Sequence, residues 1–459
     1  MAGIGFELRK LLRRDSLLGL LQAYTYAGLI SSGPWVLSIL GILLVGILSL
    51  GIVIPNILVT QFQVSVTYLI ATSLVFTGPI QLAFTRFCAD RLFEKHNDWI
   101  LPNYRALALL LTLGAGLFAL ALLSLGFHQT SLIYRLLMLC GFVLMCNIWL
   151  AALFLSSMKQ YKSILVMFAI GYGLTVGLAL LLRHDKLEGL LGGFVIGHFA
   201  LLLGMVLLIE EHFPSPEFLR YDFLRRSQIF PALIAIGLFY NLGLWIDKFI
   251  FWWSSATSIP IIGWLRASPI YDMPVFLAYL SIIPGMAVFL VKMETDFVDF
   301  YDDFYDAVRH GGSLEEIEEL RDGMVFTVRQ GIFQILKVQL ITVLIMLVNA
   351  RTLLTWLGIS KLYLPLLFVN LVSAGLQVVF LGILNVFFYL DHRAIVLRLT
   401  LWFCLSNAAL TWLSLYLGPS YFGYGYALAM LSSVCWGFYL LDRRLEHLEY
   451  ETFMTRPSP

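Results

Sequence analysis

The sequence predicts an all-α integral membrane protein with twelve transmembrane helices in two six-helix bundles. Three observations predict it. First, 60% of the 459 residues are hydrophobic and only 13% are charged, about half the ~25% charged share of soluble domains; the mean hydropathy is +0.85. A water-soluble chain must dress its exterior in polar groups, so this composition calls for the bilayer as solvent. Second, apolar runs of about 20 residues, long enough to cross a ~30 Å hydrocarbon core, recur along the whole chain. Third, Lys and Arg alternate between successive connections in a way that separates the two sides of a membrane.

At the N-terminus, MAGIGFELRKLLRRDSLLGLL is amphipathic. Ile4, Leu8, Leu11 and Leu12 share one face, and Arg9, Lys10, Arg13 and Arg14 take the other. This predicts a helix lying in the inner-leaflet interface. The apolar run behind it is too long for a signal-peptide core and lacks a small-residue cleavage site, so the first span is expected to be the insertion signal. Spans are read at 27–54, 62–86, 104–126, 132–156, 161–182, 187–209, 229–253, 270–291, 332–350, 362–390, 395–417 and 422–441. They must be helical, because backbone N–H and C=O groups find no water partner in hydrocarbon. Alternate connections hold 23 Lys and Arg on one side and 6 on the other, which puts both termini in the cytoplasm.

The connection 210–228 divides the chain into a bundle over 1–215 and a second over 216–459. Helix-interrupting residues recur at matching places, which suggests a duplication. Gly33-Pro34 and Pro231 stand near the cytoplasmic ends of the first and seventh spans. Gly78-Pro79 and Pro284-Gly285 stand in the cytoplasmic thirds of the second and eighth. Interrupted helices at corresponding places in two halves mark binding regions in secondary transporters, so these residues are hinge candidates. Gly189, Gly193 and Gly197 form a small-xxx-small face suited to close helix packing.

The polar insert 292–331 carries the acidic residues Glu294, Asp296, Asp299, Asp302, Asp303 and Asp306, with Phe297, Phe300, Phe304 and Val308 near helical spacing. This predicts a helix extending into the cytoplasm, ended by Gly311-Gly312 and followed by one that Ser313 caps over Glu316. The acids are either a solvated face, a dock for a partner, or the mouth for a cationic substrate.

In the seventh span, FYNLGLWIDKFIFWW places Asp247 and Lys248 side by side in an apolar run. Asp247 lies 19 residues past Gln228, about 28 Å along a helix. One reading puts both charges at the outer rim, Lys248 snorkelling beside a Trp252–Trp253 aromatic belt. The other has Asp247 facing a transport path, since ionisable groups in spans are costly and usually line one; Asn241 and Asp272 then extend a polar strip, with Ser31, Ser32 and Gln81 as neutral members from the first half. Adjacent helix residues point about 100° apart, so Asp247 and Lys248 are not expected to pair.

Other chemistry is not encoded. There is no Walker A motif, and Gly171-Tyr-Gly173 lies within a span with no strand before it. The five cysteines show no disulfide or metal spacing, no metal or cofactor site is expected, and nothing points to nucleic acid. His198 reads first as a packing residue.

The start MAGIGFELRKLL, the first-span SGPW and the seventh-span WIDKFIFW resemble the PelG family of the MOP flippase superfamily, whose relatives are MATE-like efflux proteins and O-antigen flippases. The resemblance covers essentially the whole chain. It implies two six-helix bundles around a central cavity, alternating access and no enzymatic activity. It further implies movement of Pel, a galactosamine-rich biofilm exopolysaccharide, across the bacterial inner membrane. Expected partners are membrane lipids, the polysaccharide, a cytoplasmic glycosyltransferase of the PelF type and membrane proteins of the PelD and PelE type. Two other readings stand beside it: an ion-coupled antiporter of lipid-linked oligosaccharide or small molecules, and a non-conducting scaffold for a polysaccharide synthase.

Overall fold

The computed structural model describes residues 17–50, 52–157, 161–225, 228–357 and 359–448. The amphipathic N-terminal segment expected in the interface lies largely outside these residues, as do the side chains of Gly33, Pro34 and Glu294. Helices dominate, as a chain that must satisfy its backbone internally requires. In order they are α1 (Leu17–Ser49), α2 (Ile57–Phe93), α3 (Ile100–Gly126), α4 (Leu132–Ser157), α5 (Tyr161–Leu181), α6 (Lys186–His212), α7 (Pro231–Trp253), α8 (Pro269–Leu280), α9 (Ile283–Val291), α10 (Val298–His310), α11 (Leu314–Trp356), α12 (Leu364–Tyr389), α13 (Arg393–Leu417) and α14 (Tyr424–Glu446).

Among the described residues, ten helical stretches are long and apolar enough to cross a membrane, or eleven when the broken first span, Gln22–Ser32 with Leu37–Ser49, is counted as one. Its break falls where SGPW stands. One of the ten, Lys162–His212, runs to 51 residues and is two helices, α5 and α6, joined by the 3-10 turn Leu182–Asp185. A Cβ on Gly189, Gly193 or Gly197 would collide with backbone atoms of Leu182, Ala179 and Thr175 respectively. As the residue number rises along α6 it falls along α5, so the two form an antiparallel hairpin packed backbone to backbone on the expected glycine face. The last hairpin, α13–α14, uses the same device at Gly425, where a Cβ would strike the backbone of Thr411.

The chain packs as two compact units, Gly33–Pro269 and the described residues of Met1–Ser32 with Ile270–Pro459. These are not the two sequence halves divided at 215/216: α7 belongs to the first unit and the start of α1 to the second. In the first unit the connection after α6 is docked on the bundle. Buried Asp222 accepts from Arg220 Nε at 2.8 Å, from Arg225 at 2.8 Å and from Asn103 Nδ2 at 3.2 Å, and its own N–H donates to Asn103 Oδ1 at 2.8 Å. The Arg220 guanidinium sits 4.1 Å over the Trp99 ring. Beyond α7 the chain forms a small antiparallel hairpin, β1 (Ile259–Ile262) with β2 (Leu265–Ala267), pairing Ile259 with Ala267 and Pro260 with Arg266. Gly263 turns it at φ +53°, a conformation that favours glycine. Tyr68 Oη donates to the Arg266 carbonyl at 2.9 Å and Gln61 Nε2 to that of Ile261 at 3.1 Å, strapping the hairpin to α2. The sequence reading contains no such element: the run is short, and Pro260 argues against a strand.

In the second unit, span eight is two helices, α8 and α9. A π-helical turn at Lys292–Phe297 leads into α10, which ends at Gly311 in the left-handed conformation (φ +75°). Ser313 Oγ then accepts the Glu316 N–H at 3.2 Å, the expected cap. The helix it opens, α11, has 43 residues and is about 64 Å long, roughly twice a hydrocarbon core. Its first turns therefore lie outside the expected span at 332–350. Phe297 and Phe304 are buried beneath α10, while Asp302, Asp303 and Asp306 are exposed.

Candidate functional site

The first unit holds the charges of the seventh span. Asp247 is fully buried and Lys248 is 4% exposed. Contrary to expectation they pair: Lys248 Nζ stands 3.0 Å from Asp247 Oδ2 and 3.2 Å from Oδ1. Adjacent Cβ atoms do diverge, but a four-carbon side chain can curl back across the gap. Lys248 Nζ also donates to the Leu244 carbonyl at 2.9 Å, one turn back along the helix. Helical side chains lean toward their own N-terminus, so Lys248 bends toward the start of α7 rather than snorkelling off its end. The aromatic belt is corrected likewise. Trp252 is buried and stacked on Tyr68 at 4.5 Å between ring centroids; Trp253 is exposed.

About three turns before the pair, α7 crosses α2. A Cβ on Gly237 would collide with the Gly78 carbonyl, and one on Gly78 would lie 2.6 Å from the Gly237 carbonyl. Asn241 Nδ2 donates to that same Gly237 carbonyl at 2.9 Å and would lie 2.9 Å from a Cβ on Gly78. The structure thus brings Gly78 and Asn241 together. Pro79 lies inside α2 without ending it. Gln81 Nε2 donates to Thr77 Oγ1 at 2.9 Å on its own helix, and Pro231 begins α7, where its missing N–H costs nothing.

The remaining candidates stand in the second unit. Ser31 and Ser32 hydroxyls bond back to the Gly28 carbonyl at 3.3 and 2.6 Å, the usual way a span hides a hydroxyl. Asp272 stands in the first turn of α8, favourable for a carboxylate. Pro284 and Gly285 begin α9 just past the break of span eight. Asp296 is held by Lys292 Nζ at 2.6 Å, Asp306 lies 3.3 Å from Arg309, and Asp299 is half-buried.

Sequence reasoning missed Gln339, on α11. It is 2% exposed, and its Nε2 donates to the Ser281 carbonyl at the break at 3.0 Å. Tyr426 Oη donates to Gln377 Oε1 at 2.9 Å and lies 3.4 Å from Tyr279 Oη. The available signal is an amide within an apolar run, costly unless it is bonded.

Helices of this number and length, with a broken first span and buried polar groups within spans, describe a multi-pass, all-α membrane protein. The structure is similar to an outward-facing multidrug resistance MATE family transporter of the MOP superfamily, with TM-score 0.65 and 14% identity over 98% of this chain and 99% of that one. It is also similar to a MOP superfamily transporter from Pyrococcus furiosus (TM-score 0.64, 13% identity, 93% and 96% covered). An inward-facing MATE family transporter matches at TM-score 0.61 and 12% identity, with 92% and 96% covered. No curated protein matches the sequence. Residues 1–453 match the family described as "PelG: Putative exopolysaccharide Exporter (EPS-E)", and the chain belongs to that family.

Proposed function

We propose that this protein moves a galactosamine-rich exopolysaccharide of the Pel type across the bacterial cytoplasmic membrane, by alternating access or a channel-like path and with no enzymatic step of its own. The observation that carries the reading is the match to an exporter family over residues 1–453, on a chain whose fold is that of transporters over 98% of its length. Counting the α5–α6 hairpin as two crossings and the broken first span as one gives twelve among the described residues, an even number that supports the reading with cytoplasmic termini and the 23-to-6 split of basic residues. On this reading Asp247 and Lys248 form a charge-neutral pair beside the path, Asn241 and Gln81 serve as its neutral members, and the Gly-Pro positions act as hinges. The exposed acids of α10 either receive a glycosyltransferase of the PelF type or attract a cationic glycan at the cytoplasmic mouth.

Reconstitution of the purified protein in vesicles, with and without the glycosyltransferase and its sugar-nucleotide substrate, tests the proposal. Glycan sequestered in the lumen only when both proteins are present supports coupled export. Ion-driven uptake of a small molecule with no synthase present supports the antiporter, and a synthase that binds but sequesters nothing supports the scaffold. Replacing Asp302, Asp303 and Asp306 with Lys separates the two roles of α10: loss of co-purification marks a dock, and unchanged binding with reduced export marks a mouth.

A further inference from the structure

We infer that span eight contains a two-state hinge and that Gln339 is the latch holding its helix interrupted between Leu280 and Ile283. The reasoning begins with the backbone. In an unbroken helix the Leu280 carbonyl would receive the N–H of residue 284, but that residue is proline and has none. The next carbonyl, Ser281, would receive the Gly285 N–H; here it accepts Gln339 Nε2 at 3.0 Å, from α11. A foreign side chain inserted in the i→i−4 ladder is one of the few recognised causes of a sharp helix kink. α8 ends at Leu280 and α9 begins at Ile283, on either side of that bond.

The slot that receives the amide is built from two glycines. A Cβ on Gly285 of α9 would collide with Gln339 Oε1, and one on Gly375 of α12 would lie 3.1 Å from Gln339 Cγ. Seated there, Oε1 is buried and has no hydrogen-bond partner among the described residues. A buried acceptor without a donor is costly, and an arrangement that tolerates it is a reservoir that a second state can draw on. That second state follows from the same atoms. If span eight straightens, Ser281 recovers the Gly285 N–H within its own helix and the Gln339 amide is released. Gln339 is a positioning residue, acting through the backbone of span eight. Its use in export rests on the proposed function; the hinge itself does not.

The test uses the full-length protein in lipid nanodiscs, with nitroxides at Met273 and Asp303, exposed positions on α8 and α10 that flank the break, and pulsed dipolar distance measurement. Gln339→Met should lower the interrupted population relative to the straight, continuous one about fivefold, the effect of one net hydrogen bond. Gln339→Leu also removes the donor and should do the same. Pro284→Ala returns the missing N–H and should favour the straight form, and Gln339→Met on that background should change little. Should Gln339→Met fail to fold, Gly285→Ala displaces the amide and takes its place. Distances unmoved by Gln339→Met, or moved equally with and without Pro284, would overturn the latch. Altered distances with export at the parental rate would leave the hinge standing and remove it from the transport cycle.

Discussion

Gly78-Pro79 in α2 and Pro284-Gly285 in span eight read as equivalents in the sequence, yet they do opposite things. At the first, the helix continues through the proline from Ile57 to Phe93, and the glycine admits another backbone, that of Gly237. At the second the helix breaks into α8 and α9, and the glycine admits the end of a side chain, Gln339. The lesson is that a proline removes a donor in either case, and what approaches the exposed ladder decides the outcome. A backbone crossing packs against the helix at Gly78-Pro79; an amide that takes the Ser281 carbonyl, next to the one the proline orphans, holds the ladder open.

The largest expected effect probes the rigid region where α7 carries its charges. Asp247→Asn and Lys248→Met should each lower stability by ~3–5 kcal/mol, because each leaves a buried charge uncompensated, and the double substitution should cost less than either single one. Thermal unfolding of the solubilised protein reads this as a double-mutant cycle. Equal, additive losses would mean that the pair is not the unit of stability. An export defect in Asp247→Asn must accordingly be scored against folded protein.

Next in size, Gly237→Ala should cost ~1–3 kcal/mol, since a Cβ would meet a carbonyl that cannot move aside. Gly285→Ala should cost clearly less, because a flexible amide can swing away. Similar losses at the two glycines would erase the distinction between crossing and latch. The prolines give a smaller and local contrast. Pro284→Ala should slow backbone hydrogen exchange around 281–286, while Pro79→Ala, in a helix already continuous, should leave exchange around 75–82 nearly unchanged. Smallest is Ser313→Ala. It should cost about 1 kcal/mol through loss of a helix cap and show as faster exchange in the first turn of α11 alone.

Much of this fold was legible because the bilayer enforces simple rules. The Gly189/Gly193/Gly197 face, the Gly311 stop and the Ser313 cap over Glu316 all follow from local periodicity and backbone chemistry, and the structure shows each. What escaped depends on long-range partners. The Asp247–Lys248 pairing turns on the path of one flexible side chain, which helix angles do not fix. The Asp222 clasp joins residues 119 apart in sequence, and Gln339 meets Ser281 across 58. A hairpin whose two strands total seven residues is too short for periodicity to announce. Membership of both packing units by α1 was also invisible, since sequence halves are counted along the chain and packing is not.

α11 gives the Gln339 contact a mechanical meaning. From Gln339 to Leu314 the helix is uninterrupted over 25 residue steps, an arm of about 38 Å. A tilt of only ~10° pivoting at Gln339 would sweep the far tip, with Glu315, Glu316, Glu318 and Glu319, through about 7 Å by the geometry of a rigid rod. A change at Gln339 too small to disturb its own packing is thereby read out at the far end of α11 as a displacement of several ångströms.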